Sequence, residues 1–258
     1  MQNKAAIAKK KYGQNFLCDE GIVAQIIQSM PDTQNRIAEI GPGLGDLTKY
    51  LVDVRSVIAF EVDTDLCKHL THHFASAIAT NALTLRCGDV LDHWKGELLN
   101  EPYDLVANLP YYIATNIILK ALADNACQNM LVMVQREVAE KFSASPGDKS
   151  FGALSIIAQS VGEVEIVIDV PPSAFQPAPK VDSSVLLIRK TGNRQDTQFE
   201  EMLRVSFTQP RKTLYKNLSA RYEISLIINA FEALNIEKNL RPHQLSTPDY
   251  HRLYALLS

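Results

Sequence analysis

The chain has little cysteine, almost no tryptophan and no long apolar run. Among its 258 residues Trp94 is the only tryptophan, and the four cysteines, Cys18, Cys67, Cys87 and Cys127, stand far apart with no CxxC pair. That usage argues against a zinc ribbon or a disulfide framework and for reduced, mostly buried thiols in a cytoplasm. No stretch is long and apolar enough to cross a bilayer, so no membrane role is expected. Excess positive charge is missing too: the formal net charge is -3 and charged residues make up 21%. Any polyanion partner must therefore be held by local patches. The start, 1–12, carries Lys4, Lys9, Lys10 and Lys11 but no arginine and no apolar centre, which fits a basic arm better than a signal peptide or presequence. What is present is a 46% hydrophobic content, enough for one large α/β core and a small appended domain.

Asp19 is placed to cap an amphipathic helix running to about Met30. Beyond it, β-type segments at 36–40, 56–61, 82–86, 103–107 and 130–135 alternate with helical ones. Such βαβ alternation predicts a mostly parallel sheet with helices on both faces. Two later strands, 164–170 and 184–189, are joined by a proline-rich loop too short for a crossover helix. They should pair antiparallel at the sheet edge, completing seven strands. After Thr191-Gly192-Asn193 the pattern is helical, with candidate helices at 198–208, 211–220, 225–234 and 248–257. The expected organisation is a basic arm at 1–12, a catalytic domain at 13–192 and a helical domain at 193–258. The longest loop, 143–150, contains Pro146, Gly147 and Lys149 and is expected to be a mobile flap.

The chemistry-bearing motifs fall at strand ends. Glu39-Ile40-Gly41-Pro42-Gly43-Leu44-Gly45-Asp46 follows the first strand of the alternation as a glycine turn opening a helix, where backbone N–H groups can approach a ligand. Glu61, twenty residues after Gly41, ends the next strand, where a carboxylate can accept both ribose hydroxyls of a nucleoside. An NAD-linked oxidoreductase would use the same geometry, but its fingerprint needs a third glycine where this chain has Asp46. Gly88-Asp89 ends the third strand and adds an acceptor for an adenine amine. Asn108-Leu109-Pro110-Tyr111-Tyr112 ends the strand at 103–107 and suits methylation of an aromatic amine. That nitrogen is a poor nucleophile, so a site needs acceptors for its two hydrogens and a ring to stack on the base. The Asn108 side-chain oxygen, the Pro110 carbonyl and the Tyr111 face would supply them.

Taken in order, Gly13-Gln14-Asn15-Phe16-Leu17, residues 39–46, Asn108 to Tyr112 and Phe175-Gln176-Pro177-Ala178-Pro179-Lys180-Val181-Asp182-Ser183 resemble the ribosomal RNA adenine N6-dimethyltransferase family. The match runs from about Tyr12 to Leu218. The resemblance implies a class I S-adenosylmethionine-dependent methyltransferase fold, a Rossmann-like α/β domain with a seven-stranded sheet, and a small all-helical C-terminal domain. Its bacterial branch, whose loss confers kasugamycin resistance, dimethylates two neighbouring adenines near the 3′ end of 16S rRNA in the small ribosomal subunit precursor. By that resemblance Asn15, Leu17, Gly41, Gly43, Glu61, Asp89 and Asn108 line the cofactor site, Asn108, Leu109, Pro110 and Tyr111 grip the amine, and Phe175 faces the target base. No metal is called for, and a cytoplasmic monomer is expected. Tyr112 stands where relatives often carry asparagine, and Pro210 replaces a basic residue that usually precedes Arg211-Lys212.

Candidate RNA contacts are Lys9, Lys10 and Lys11, then Arg136, Lys141 and Lys149, then Arg211, Lys212, Lys216 and Arg221. On a helix 212 and 216 would share a face, which makes that stripe the strongest group. Three readings compete with rRNA dimethylation. A DNA adenine methyltransferase shares the amine turn but not the order of the flanking motifs. A non-catalytic nucleic-acid binder would have no use for Glu61 and Asp89. His69, His72 and His73 beside Cys67, Asp63 and Asp65 have metal-ligand chemistry, but an exposed polar helix face explains them.

Overall fold

A computed structural model describes residues 9, 14–192 and 197–258. Contacts divide the chain into two units, the first reaching to Ala139 and including Glu165–Lys190, the second made of Glu140–Val164 and Thr191–Ser258. By contacts the segment Glu140–Val164 groups with the C-terminal helices, whereas the sequence pattern put it within 13–192.

The first unit is built on a seven-stranded sheet of β2 (Arg36–Ile40), β3 (Val57–Glu61), β4 (Leu83–Cys87), β5 (Tyr103–Asn108), β6 (Cys127–Gln135), β7 (Gly162–Val170) and β9 (Ser183–Lys190), in the order β4-β3-β2-β5-β6-β9-β7. Strands β2 to β6 pair in parallel, and β9 pairs antiparallel with β6. Side-chain bonds from Ser184 to Asp169 and from Arg189 to Glu165 run in opposite senses, so β7 lies antiparallel to β9 as the edge. Every residue of β3 is buried, as expected of a strand covered on both faces. Two short strands, β1 (Phe16–Leu17) and β8 (Phe175–Gln176), pair separately with Leu17 opposite Phe175.

Helices α1 (Glu20–Gln28), α2 (Thr48–Val54), α3 (Thr64–His73), α4 (Ala75–Ala79), α5 (Val90–His93) and α6 (Ala114–Ala123) link these strands. Asp19 caps α1 through Gly21 and Ile22 N–H, and Ile22, Val23 and Ile26 form its buried stripe. Below the sheet, at the strand N-termini, Asp104 is fully enclosed. It accepts from Arg55 Nη1 at 2.6 Å and from the side chains of Thr33, Asn35 and Asn129. Trp94 is likewise internal, its Nε1 donating to Asp124 at 2.9 Å.

α7 (Arg136–Ser143) runs from the first unit into the second, which continues with α8 (Ala153–Gln159), α9 (Thr197–Ser206), α10 (Leu214–Leu218), α11 (Ile224–Ala233) and α12 (Thr247–Leu257). Phe199, Met202, Leu203, Leu214 and Leu218 are buried there, and Thr247 Oγ1 donates to Gln159 Oε1 at 2.7 Å. The loop at 143–150 is not a free flap. Gly147 N–H donates to the His243 carbonyl at 2.7 Å, and Asp148 closes turns with Ser145 and Phe151. The helix expected at 211–220 is only five residues long, because Thr213 acts as its N-cap and accepts from Lys216 N–H. Lys212 therefore precedes the helix, and the shared face expected for 212 and 216 does not exist.

The thiol expectation also needs correction: Cys67 and Cys87 form a disulfide. Twenty residues separate them in sequence, but Cys87 pairs opposite Glu61 in the parallel ladder and Cys67 lies one helical turn past that strand end. Of the free thiols Cys127 is buried and Cys18 exposed.

Candidate active site

The parallel strands all end at one edge of the sheet, and the chain moves outward from β2 to β3 and β4 before crossing to β5 on the other side. That reversal opens a crevice between β2 and β5, the place where open α/β sheets bind ligands. An open cleft lies there, concave and lined by both polar and apolar groups as small-molecule sites are. It is lined by Asn15, Leu17, Gly41, Gly43, Glu61, Asp89, Asn108, Leu109, Pro110 and Tyr111, which are all the expected cofactor and amine residues but one.

The exception is Phe175. Its side chain is 5% exposed, belongs to the hydrophobic cluster with Leu17 and Ala174, and does not line the cavity. Expected to face a target base, it is placed as a core residue because its pairing with Leu17 turns it inward.

The glycine turn is shaped by contacts that only glycine permits. Gly45 has φ +86°, and a Cβ on it would come within 2.4 Å of the Phe74 ring. Gly43, at φ +61°, brings its N–H to Glu61 Oε2 at 3.1 Å while the Phe16 ring covers its Cα side. Glu61 Oε1 accepts from Asp63 N–H at 2.9 Å. Each carboxylate oxygen thus keeps a lone pair for a hydroxyl donor. Burial raises the Glu61 carboxyl above its usual range, and the backbone donors oppose this without cancelling it. Asp89 caps α5 by accepting from Leu91 N–H at 2.9 Å, with its other oxygen available to an amine.

Glu39, the first residue of the glycine motif, also lines the cavity, which its position in the motif alone does not reveal. It is buried beneath the glycine turn and accepts from Thr48 Oγ1 at 2.7 Å. Burial pushes its carboxyl up to about 8, the Thr48 hydroxyl opposing and the Glu61 charge adding to the rise.

At the tip of β5 the Asn108 amide donates from Nδ2 to the Asn15 carbonyl at 3.1 Å. A carbonyl can only accept, so the contact assigns the amide orientation and leaves Oδ1 as the group for a ligand hydrogen. Leu109 N–H continues the ladder to the Met133 carbonyl. The Pro110 carbonyl, expected to receive the amine, already accepts from Ile113 N–H at 3.1 Å with one lone pair and closes the turn that holds Tyr111 and Tyr112. Among the described residues no protein donor reaches the Leu109 carbonyl, one residue earlier. Tyr111 Oη bonds to the buried Ser183 Oγ at 2.6 Å, which fixes its ring, and burial raises its hydroxyl pKa so that it stays protonated. Tyr112 is 61% exposed at the rim.

Of the RNA candidates, Lys10 and Lys11 lie outside the described residues, while Arg136, Lys141, Lys149, Arg211, Lys212, Lys216 and Arg221 are exposed. Lys9 has a different engagement, its Nζ lying 2.7 Å from both Asp63 and Asp65. Those two acids thus serve no histidine. His69 and His73 stack at 5.5 Å, and no group of three His, Cys, Asp or Glu among the described residues is arranged to hold a metal ion.

The donor set fits S-adenosylmethionine: a carboxylate for ribose hydroxyls at the end of β3, a second for the adenine amine at the end of β4, and a glycine turn that admits close approach between them. Fold and site together define a class I S-adenosylmethionine-dependent methyltransferase. The family model for ribosomal RNA adenine dimethylase matches residues 5–258. The chain is 65% identical to the ribosomal RNA small subunit methyltransferase A of Sulfurimonas denitrificans, over 97% of this chain and 94% of that protein. It is 49% identical to the protein of the same name from Aliarcobacter butzleri, over 96% and 95%. Among solved structures, a dimethyladenosine transferase from Plasmodium falciparum superposes with a TM-score of 0.79 at 23% identity, covering 92% of this chain and 95% of its own. The 23S rRNA methyltransferase ErmE does so with 0.75 at 24% identity, covering 94% and 99%. The chain belongs to the ribosomal RNA adenine dimethylase family. It is an rRNA methyltransferase that uses S-adenosylmethionine, and none of its described helices is long and apolar enough to cross a membrane.

Proposed function

We propose that this enzyme adds two methyl groups to the N6 amine of each of two adjacent adenines in the 3′-terminal hairpin loop of 16S rRNA, during assembly of the small ribosomal subunit. The observation that carries the reading is the Asn108 amide, turned by the Asn15 carbonyl so that its oxygen is the ligand-facing acceptor, beside a tyrosine locked by Ser183. Bound in the crevice, S-adenosylmethionine supplies an activated methyl group carried on a positively charged sulfur. Asn108 Oδ1 takes one amine hydrogen and the Leu109 carbonyl the other, which aims the nitrogen lone pair along the line of transfer. Tyr111 stacks on the base and excludes water. Held by Glu61, Asp89 and the glycine turn, the donor would give its methyl group to this nitrogen and leave as S-adenosylhomocysteine, while the oriented amine would lose one proton to solvent. Orientation of this kind supplies roughly 7–11 kcal/mol of a barrier, so no covalent enzyme intermediate is required.

The target must be unstacked to reach the crevice, which a hairpin loop allows at little cost. Exposed Arg136, Lys141, Lys149, Arg211, Lys212 and Lys216 are the proposed phosphate contacts. The setting is the cytoplasm, where subunits assemble, and the enzyme acts there as a monomer. Transfer of labelled methyl from S-adenosylmethionine to small-subunit particles, measured against duplex DNA, tests the reading. Label confined to the 3′-terminal adenines is expected, and label in the duplex alone would replace this function by DNA adenine methylation.

A further inference from the structure

We infer that Lys9 is a positioning residue for cofactor binding, its ammonium holding Asp63 and Gln14 in the arrangement that presents Glu61 to the ribose. The inference rests on the reading of Glu61 as the ribose acceptor. Within five residues the chain carries three carboxylates, Glu61, Asp63 and Asp65, and the Asp63 side chain is only 2% exposed. A buried carboxylate next to two others is unfavourable unless a cation and hydrogen bonds compensate it. The cation is Lys9: its Nζ lies 2.7 Å from Asp63 Oδ1 and 2.7 Å from Asp65 Oδ2.

The contacts close into a ring. Lys9 N–H donates to Gln14 Oε1 at 2.8 Å, and Gln14 Nε2 donates to Asp63 Oδ2 at 3.3 Å. Asp63 Oδ1 also accepts from Asp65 N–H at 3.0 Å, and Asp63 N–H donates to Glu61 Oε1 at 2.9 Å. Burial pushes the Asp63 carboxyl up, but Lys9, the Asp65 N–H and Gln14 together bring it below its usual value. Gln14 and Glu61 line the cavity, whereas Lys9, Asp63 and Asp65 do not. Lys9 therefore acts through its neighbours and touches no part of the ligand site. Without the ammonium, Asp63 is left buried with neutral donors only. Its relief is to swing outward, which releases Gln14 and withdraws a backbone donor from Glu61. Asp65, 69% exposed, is the lesser partner of the pair.

The test uses the full chain as wild type, Lys9→Met, Lys9→Arg and Asp65→Asn. Affinity for S-adenosylhomocysteine is measured by calorimetry without RNA, with steady-state constants for cofactor and rRNA alongside. Lys9→Met is expected to weaken cofactor-product binding about tenfold and to raise the KM for S-adenosylmethionine equally, leaving kcat and the KM for rRNA unchanged. Lys9→Arg restores most of the affinity and Asp65→Asn changes it less than threefold. Wild-type affinity in Lys9→Met overturns the inference alone, as does a loss confined to the KM for rRNA. A wild-type protein that binds no cofactor overturns both the inference and the role of Glu61.

Discussion

Replacing Glu39 by glutamine isolates the energetic cost of keeping an ionisable group under the cofactor turn. Glu39 is 1% exposed and its hydrogen-bond partner is the Thr48 hydroxyl at 2.7 Å, which a glutamine oxygen can accept equally well. Burial raises the folded-state carboxyl from 4.5 to about 8. A group raised in this way favours the folded state fully below its unfolded value. The contribution is then lost as pH rises, because the unfolded chain ionises first. Over the window from pH 5 to pH 7.5 the loss amounts to about 3 kcal/mol, at about 1.4 kcal/mol per unit once the two titrations are weighed against each other. The glutamine variant cannot ionise and escapes it. In urea unfolding of cofactor-free protein, the stability of Glu39→Gln relative to wild type should rise by about 3 kcal/mol between pH 5 and pH 7.5 with m unchanged. A difference that is the same at both pH values would refute a neutral, buried Glu39.

Three further outcomes follow from the packing and charge. Phe175→Ala should cost about 3–5 kcal/mol of stability, as expected for an aromatic lost from a core, and unfolding at the wild-type midpoint would return the ring to a substrate-facing role. Asp104→Ala should cost about 3–5 kcal/mol by leaving the nearly buried Arg55 without its carboxylate, and a loss below 1 kcal/mol in urea unfolding would contradict that. Lys212→Glu with Lys216→Glu should flatten the dependence of rRNA affinity on salt concentration, and an unchanged slope would remove both from the interface.

The sheet was legible because its strands are rich in apolar and β-branched residues, and β2 to β5 each end at a glycine, an acid or Asn108. Parallel pairing then put those ends on one edge, which is why ten of the eleven expected catalytic and cofactor residues meet at the cavity. Features that depend on distant partners were not legible. Phe175 is an aromatic beside a proline-rich loop, and only its pairing with Leu17 decides between core and base stacking. Cys67 and Cys87 are joined through the β3–β4 register, which cysteine spacing does not encode. Lys9 belongs to a run of lysines that reads as a phosphate-binding arm, and its two carboxylates lie more than fifty residues away. The shortened α10 was recoverable in principle, since Thr213 before an apolar residue is an N-cap signal. That the Pro110 carbonyl also closes its own turn was not legible, because a turn's internal hydrogen bond cannot be counted until the turn is seen.

In the proposed function the tip of β5 orients the adenine amine and leaves cofactor binding to its neighbours. Its most direct test compares Asn108→Ala with wild type in two measurements on the same preparation: the calorimetric affinity for S-adenosylhomocysteine and single-turnover methyl transfer to small-subunit rRNA. Transfer lowered a thousandfold or more, with cofactor affinity changed less than tenfold, is the predicted result. Transfer at the wild-type rate would rule out that role for Asn108, and so would a loss of transfer that disappears once the variant is saturated with cofactor.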